Sequence, residues 1–343
     1  MTRQHLFALA ALATLADIAS AQASSVTLFG VADAAIERIK GATSLTRLQS
    51  GQMHGSRWGL RGSEDLGGGL RAFFHLEQGF TIDNGQLGQG GRSFGRQAFV
   101  GLGGSFGAVR LGRQYTPFDD VAGLVGTKTY DVLNVARAIG IENNDRLDNT
   151  ITYVTPTVGG FVGQLQYSLG DERSTTDASK NSNKSYSAGG IWKSGGAMLA
   201  GAYINIIDID GTVAGDQRRR AAMLVGGYDF GSVRFNVYGH GQGMGTAERK
   251  RIVGGNVAAP MGAFIPSIGF AMVKNATGSA ADDDAKIVTL QARYDLTRRT
   301  WLYGNLTAVS NDGSASTGAN LGFNSPVRGD TSNGIQFGVR HAF

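Results

Sequence analysis

The chain has 343 residues with a formal net charge of +5, 53 glycines, 5 prolines, no cysteine and 41% hydrophobic residues. Without cysteine there is neither a disulfide framework nor a thiolate metal site, and outside the N-terminus no stretch approaches the roughly 18 consecutive apolar residues of a membrane-crossing helix. The basic residues are spread along the chain rather than gathered on one element, which argues against a nucleic-acid partner and suits positive charge distributed along a pore.

Arg3 and His5 precede the apolar run Leu6 to Ala16, and Ala19, Ala21 and Ala23 offer two A-x-A cleavage sites. Residues 1–23 are therefore read as a secretory signal peptide cut after Ala21 or Ala23, leaving 24–343 as the mature unit.

In Val26 to Glu37, Val26, Leu28, Ala32, Ala34 and Ile36 alternate with residues that include Asp33 and Glu37, which predicts a strand with those carboxylates on its polar side. A loop is predicted from there to Gly51. Ser56 to Phe80, SRWGLRGSEDLGGGLRAFFHLEQGF, then reads as a hairpin with one apolar face and one face carrying Arg57, Arg61, Arg71, His75 and Glu77. After a Gly/Asn/Gln-rich loop, Arg92 to Leu102 and Ala108 to Tyr115 form the next predicted hairpin. Thr116 to Asp145 is the longest interval without strand alternation. Loops of that length are mostly functional or disordered, and its apolar residues, Phe118, Val121, Leu124 and Val125 among them, point to packing instead of disorder.

Regular strands return at Arg146–Tyr153, Phe161–Leu169, Lys184–Lys193 and Ala197–Asp208. Arg218–Phe230 and Val233–Gly241 follow, joined through Gly231-Ser232 as a two-residue hairpin. Further strands are predicted at Arg249–Ala258, Phe264–Lys274, Ala285–Leu296, Thr300–Ser310 and Gly334–Phe343, the last ending in an aromatic residue. This makes sixteen strands with short and long connections alternating. About 320 mature residues leave roughly 20 per strand and connection, which fits strands of ~10 residues crossing a bilayer. The predicted fold is all-β, a sixteen-stranded antiparallel transmembrane β-barrel whose apolar faces look to lipid and whose polar faces border water.

Four segments carry a resemblance: SSVTLFGVADA, SRWGLRGSEDLGGGL, GRQAFVGLGGSFGAVRLGRQY and the terminal GIQFGVRHAF. Together they resemble the trimeric general porins of Gram-negative outer membranes, in particular the beta-proteobacterial branch. The resemblance implies a homotrimer in the cell outer membrane, with a long third loop, Thr116 to Asp145, folded into the lumen as a constriction loop. It also implies a ladder of basic residues on the wall, with Arg57, Arg96 and Arg146 matching that ladder and Arg113 as a further candidate. Alternation independently places Arg57 and Arg146 on the polar face. It does not decide Arg96, and Arg113 needs a bulge or strand end to turn inward. On the loop, Asp119 and Asp120 stand where relatives carry a Pro-Glu-Phe-Gly-Gly-like element, and Asp131, Glu142 and Asp145 compete with them for the acidic pole.

The function implied is a water-filled channel for passive diffusion of small hydrophilic solutes and ions with a weak anion preference, needing no cofactor and no metal. The partners are outer-membrane lipid, the chain itself as a homotrimer, and the barrel-assembly machinery through the terminal Phe343. A substrate-selective channel with an aromatic track including Phe73 and Tyr115 is the main alternative, and a non-conducting adhesive barrel a third reading. The histidines His5, His54, His75, His240 and His341 show no metal-ligand spacing or convergent triad, which disfavours an enzyme.

Overall fold

The computed structural model describes residues 25–125, 146–170, 183–207, 218–244, 250–276, 283–317, 319 and 328–343. The expected signal peptide at 1–23 lies outside the described residues, as do loop positions 126–145 with Asp131, Glu142 and Asp145.

Seventeen strand segments form one sheet. They are β1 (Ser25–Lys40), β2 (Ser44–Ser50), β3 (Arg57–Gly67), β4 (Leu70–Gly79), β5 (Gln97–Gly104), β6 (Gly107–Tyr115), β7 (Arg146–Val154), β8 (Phe161–Leu169), β9 (Lys184–Ser194), β10 (Ala197–Ile207), β11 (Arg219–Asp229), β12 (Arg234–Met244), β13 (Lys250–Ala258), β14 (Phe264–Lys274), β15 (Ala285–Asp295), β16 (Thr300–Asn311) and β17 (Thr331–Ala342). Consecutive strands from β3 to β17 pair antiparallel, and β17 pairs with β1 to close the sheet. The first half of β1 pairs with β3 and its second half with β2, so β2 and β3 are two pieces of one wall position. The seventeen segments thus occupy sixteen positions of a closed antiparallel barrel.

The loop expected up to Gly51 is corrected here: Gly41–Thr43 make a tight turn and Ser44–Ser50 are strand. Alternation hides this strand because its apolar residues fall on both faces, with Leu45 packed against buried residues and Leu48 half exposed on the other side. β5 begins at Gln97 rather than Arg92, since Phe94 adopts a left-handed φ of 51° that interrupts an extended strand. β17 begins at Thr331, before the expected Gly334. The two-residue connection at Gly231-Ser232 forms as expected, with Phe230 N–H donating to the Val233 carbonyl at 2.9 Å.

Alternation decides which face meets which medium. In β12, Asn236, Tyr238 and His240 are buried while Phe235 and Val237 are exposed, and Leu199, Leu224, Val253, Leu290 and Phe337 lie on the same exposed face of other strands. An apolar surface encircling the barrel cannot face water in a soluble protein and is the lipid-facing band of a membrane barrel. Exposed aromatic residues cluster near the short turns, including Phe161, Trp192, Tyr228, Phe230 and Phe264, as the girdle at a membrane interface requires. The buried face is polar, and cross-strand pairs such as Gln114–Thr150, Gln166–Thr152, Gln291–Asn305 and Asn256–Asn236 satisfy its hydrogen-bonding groups.

Gly30 of β1 and the terminal Phe343 meet at the closure. Gly30 N–H donates to the Phe343 carbonyl at 2.9 Å and Phe343 N–H returns to the Gly30 carbonyl at 3.1 Å. The Phe343 ring lies over Gly30, where an added Cβ would come within 2.1 Å of the ring. Gly30→Val is expected to displace that ring and destabilise the folded barrel by about 1–3 kcal/mol. The denaturant midpoint of the refolded chain measures this, and an unchanged midpoint would refute the contact's importance.

Candidate functional site

The site is built around the end of β6. Gly112 has φ +132° and a Cβ there would sit 2.3 Å from the Ala98 carbonyl oxygen, so the close approach of β5 requires glycine. Just beyond it the pairing of β6 with β7 shifts register, with Asn149 at a positive φ of 54° on the facing strand. The irregularity buries Gln114, whose Nε2 donates to Thr150 Oγ1 at 3.0 Å, and sets Tyr115 opposite Arg146.

Tyr115 joins two of the expected arginines. Its hydroxyl accepts from Arg96 Nη2 and, at 2.8 Å, from Arg146 Nη2. The Arg146 guanidinium lies 4.4 Å from the ring centroid and that of Arg96 5.8 Å, so both cations also gain from the π face. Glu77 supplies the counter-charge: Arg96 Nε donates to its Oε1 at 2.6 Å, Arg57 Nε lies 3.7 Å from its Oε2, and His75 Nε2 3.5 Å from the same atom. Arg57, Arg96 and Arg146 therefore form one cluster on the wall of β3 to β7. Arg96, which alternation leaves undecided, lies just before β5, where its backbone N–H bonds the Glu77 carbonyl and its side chain turns to Glu77.

Arg113 belongs elsewhere. Its Nη1 donates to Asp148 Oδ1 at 2.6 Å and its Nε to the Gly95 carbonyl at 2.7 Å, while Arg92 Nη1 holds the other oxygen of Asp148 at 2.7 Å. Arg92, Arg113 and Asp148, with Arg146, line a cavity of about 580 Å³ beside the cluster.

The described part of the long loop opens with a helical turn, α1 (Pro117–Ala122), with proline at its start and Thr116 Oγ1 accepting from Asp119 N–H at 3.2 Å as its cap. Phe118 and Val121 are buried in a cluster with Ala202, Ile204, Met223 and Ile252, and the Phe118 ring meets that of His240 edge-on at 5.6 Å. The carbonyls of Leu124 and Val125 accept from Asn236 and Asn256 at 3.5 and 3.0 Å. Of the apolar residues that argued for packing, Phe118, Val121, Leu124 and Val125 are described, and these pack onto the buried alternation of β9 to β13. Of the expected acidic residues, Asp120 accepts from Gln164 Nε2 at 3.0 Å and interacts electrostatically with Arg110, and the backbone of Asp119 belongs to the helical turn.

Several participants were not singled out from the sequence. Glu77 had been placed on the polar face, but its role as shared counter-ion depends on Arg96, which lies 19 residues away and outside the alternation. Arg92, Arg110 and Asp148 escaped because each is defined by a partner on another segment of the chain. The Arg47–Glu37 ion pair, at 2.6 Å, escaped because β2 was read as loop. Among the described residues no group of three or more His, Asp or Glu side chains could hold a metal ion.

A family model described as Gram-negative porin matches residues 8–314. The outer membrane porin protein 32 of Delftia acidovorans is 33% identical over 358 residues, covering 98% of this chain and 99% of that one. An outer membrane porin protein of Bordetella pertussis is 29% identical, covering 88% and 92%. Among solved structures, the anion-selective porin from Comamonas acidovorans superposes with a TM-score of 0.81 at 28% identity, covering 94% of this chain and all of that one.

Proposed function

This chain belongs to the Gram-negative porin family, and we propose that its channel prefers anions. It is a sixteen-position barrel of the outer membrane, a non-catalytic channel through which small solutes diffuse passively. The observation that carries the preference is the gathering of Arg57, Arg96 and Arg146 around Tyr115 and Glu77: Arg57 and Arg96 pair with the Glu77 carboxylate, and Arg96 and Arg146 donate to the Tyr115 hydroxyl. The resemblance to a porin described as anion-selective supports the same reading. Thr116–Asp145 acts as the constriction loop. Its described start lies on the buried side of β9 to β13 and carries Asp119 and Asp120, so carboxylates on the loop and guanidiniums on β3 to β7 set a transverse field across the water path. Polar solutes orient in such a field, whereas apolar ones must displace ordered water.

Replacing Arg57, Arg96 and Arg146 together by glutamine is expected to lower the chloride-to-potassium permeability ratio by about five-fold, since local potentials of this kind amount to a few kT. Zero-current potentials across planar bilayers in a salt gradient measure it. A cation-preferring wild type, or a ratio unmoved by the triple replacement, would overturn the reading.

The chain acts as a homotrimer by family resemblance, exported by the signal peptide at 1–23 and recognised by the assembly machinery through Phe343. A second reading, a track for one solute, draws on the wall aromatics: His75 stacks on Phe99 at 5.4 Å, and Phe73 meets Phe99 edge-on at 6.4 Å beside Arg71. Single-channel block by one sugar or acid at low concentration would favour it.

A further inference from the structure

Beyond the arginine cluster, toward the short turns, the lumen face of β3 to β6 changes character. One step past Glu77, Arg61, His75 and Phe99 are successive register partners, and the next rows bring Phe73 beside Gly101 and Arg110, then Arg71 beside Gly103. The glycines leave room for rings to lie against the wall: a Cβ at Gly101 would come within 2.5 Å of the Phe73 ring, and one at Gly59 within 2.7 Å of the Phe29 ring. The rings also meet one another. His75 and Phe99 are parallel within 6° at 5.4 Å, Phe29 lies 5.2 Å from His75, and Phe73 meets Phe99 edge-on at 6.4 Å. All four rings are half-buried, so each keeps part of its surface in the lumen. In outer-membrane barrels the short turns lie on the periplasmic side, and an anion that has passed the cluster around Tyr115 meets this wall next.

Each of the three phenylalanine rings has an arginine beside it. The Arg61 guanidinium lies 5.4 Å from the Phe29 centroid, that of Arg71 5.1 Å from Phe73 and that of Arg110 5.5 Å from Phe99. Unlike the arginines around Tyr115, the side chains of Arg61 and Arg71 have no hydrogen bond or ion pair among the described residues, and Arg110 Nε is buried without a hydrogen-bond partner. Arg71 and Arg110 repel each other electrostatically, which an anion between them would relieve, and Arg110 also feels Asp120. A guanidinium fork matches a carboxylate, and an aromatic surface matches a planar ring. Alternate residues of a strand are roughly 7 Å apart, comparable with the length of a benzoate ion. We propose that this wall binds aromatic carboxylates in transit, the carboxylate between Arg71 and Arg110 and the ring against Phe73 and Phe99. An aliphatic acid would satisfy the arginines alone, and a neutral sugar would leave them unpaired. This deepens the reading of the wall aromatics as a solute track, and it rests on the anion preference of the channel.

The test adds benzoate or cyclohexanecarboxylate, equal in charge and similar in size, to single channels carrying chloride current at neutral pH. In wild type, benzoate is expected to half-block the current at a roughly ten-fold lower concentration than cyclohexanecarboxylate. Phe73→Leu with Phe99→Leu, which keeps apolar volume but removes the ring faces, should bring the two acids to the same half-blocking concentration. Arg71→Gln with Arg110→Gln should weaken block by both acids about five-fold or more. Channel formation by each variant verifies that it folds, and the wild-type comparison needs no variant. Equal block by the two acids in wild type, or a Phe73→Leu, Phe99→Leu channel that still favours benzoate, would overturn the proposal. Zero-current potentials in the same membranes separate this failure from that of the parent reading. A chloride-preferring channel that does not distinguish the acids refutes the aromatic site alone, whereas a cation-preferring channel refutes the anion preference on which the site rests.

Discussion

Glu77→Gln is expected to destabilise the folded barrel by about 3 kcal/mol while making the channel more anion-selective. The carboxylate is nearly buried and is shared by Arg96 at 2.6 Å, Arg57 at 3.7 Å and His75 at 3.5 Å. Removing one member of a buried charged group costs more than the group's net stabilisation, because the remaining cations are left without compensation in a poorly solvated place. Meanwhile the local positive potential rises, and with it the anion preference. The two effects have opposite consequences for the protein and are read separately, by the denaturant midpoint of the refolded chain and by zero-current potential. A second substitution, Arg96→Gln in the Glu77→Gln background, should recover part of the stability, since it removes one uncompensated charge. If Glu77→Gln unfolds at the wild-type midpoint, the carboxylate is not the counter-ion described here.

Asp33→Ala is the second large effect, a loss of about 3–5 kcal/mol. Asp33 is fully buried on β1. Its carboxylate accepts from the backbone N–H groups of Gln52 and His54 at 2.9 and 3.1 Å and from the Tyr303 hydroxyl at 2.8 Å. Its backbone bonds Gly51 and Ser56. One side chain therefore fixes the segment between β2 and β3, whose Met53 packs beside Tyr303 and Ala35. With Asp33 gone, several buried donors lose their acceptor together. The amides of Gln52 and His54 should then exchange with solvent far faster than in wild type. Unchanged protection would show that the segment holds itself in place without Asp33.

Much of the wall was legible because a closed barrel applies one rule to every strand. Asn236 and His240 against Phe235 and Val237, or Gln336 and Arg340 against Phe337 and Val339, declare their faces by alternation alone. Where the rule fails, the cause is local. Leu45 and Leu48 lie on opposite faces of β2, so that strand has no apolar side to read. Arg113 needed an irregularity, and one exists, but its partner Asp148 sits on a strand 35 residues away and could not be foreseen from parity. The site was partly legible for a related reason. Arg57, Arg96 and Arg146 could be matched to motifs, whereas the hydroxyl of Tyr115 that joins two of them is a meeting point of three chain segments, and no single segment encodes it.

The closure of β1 on β17 also determines how the molecule can be handled. Val31 pairs with Ala342 and Gly30 with Phe343, so Ser25 to Phe29 run past the end of β17, held on their other side by β3 alone. The leading end of β1 is therefore an overhang and Phe343 a clasp. A reporter or tether fused ahead of Ser25 leaves every hydrogen bond of the seam in place, whereas one fused after Phe343 emerges at the ring that covers Gly30.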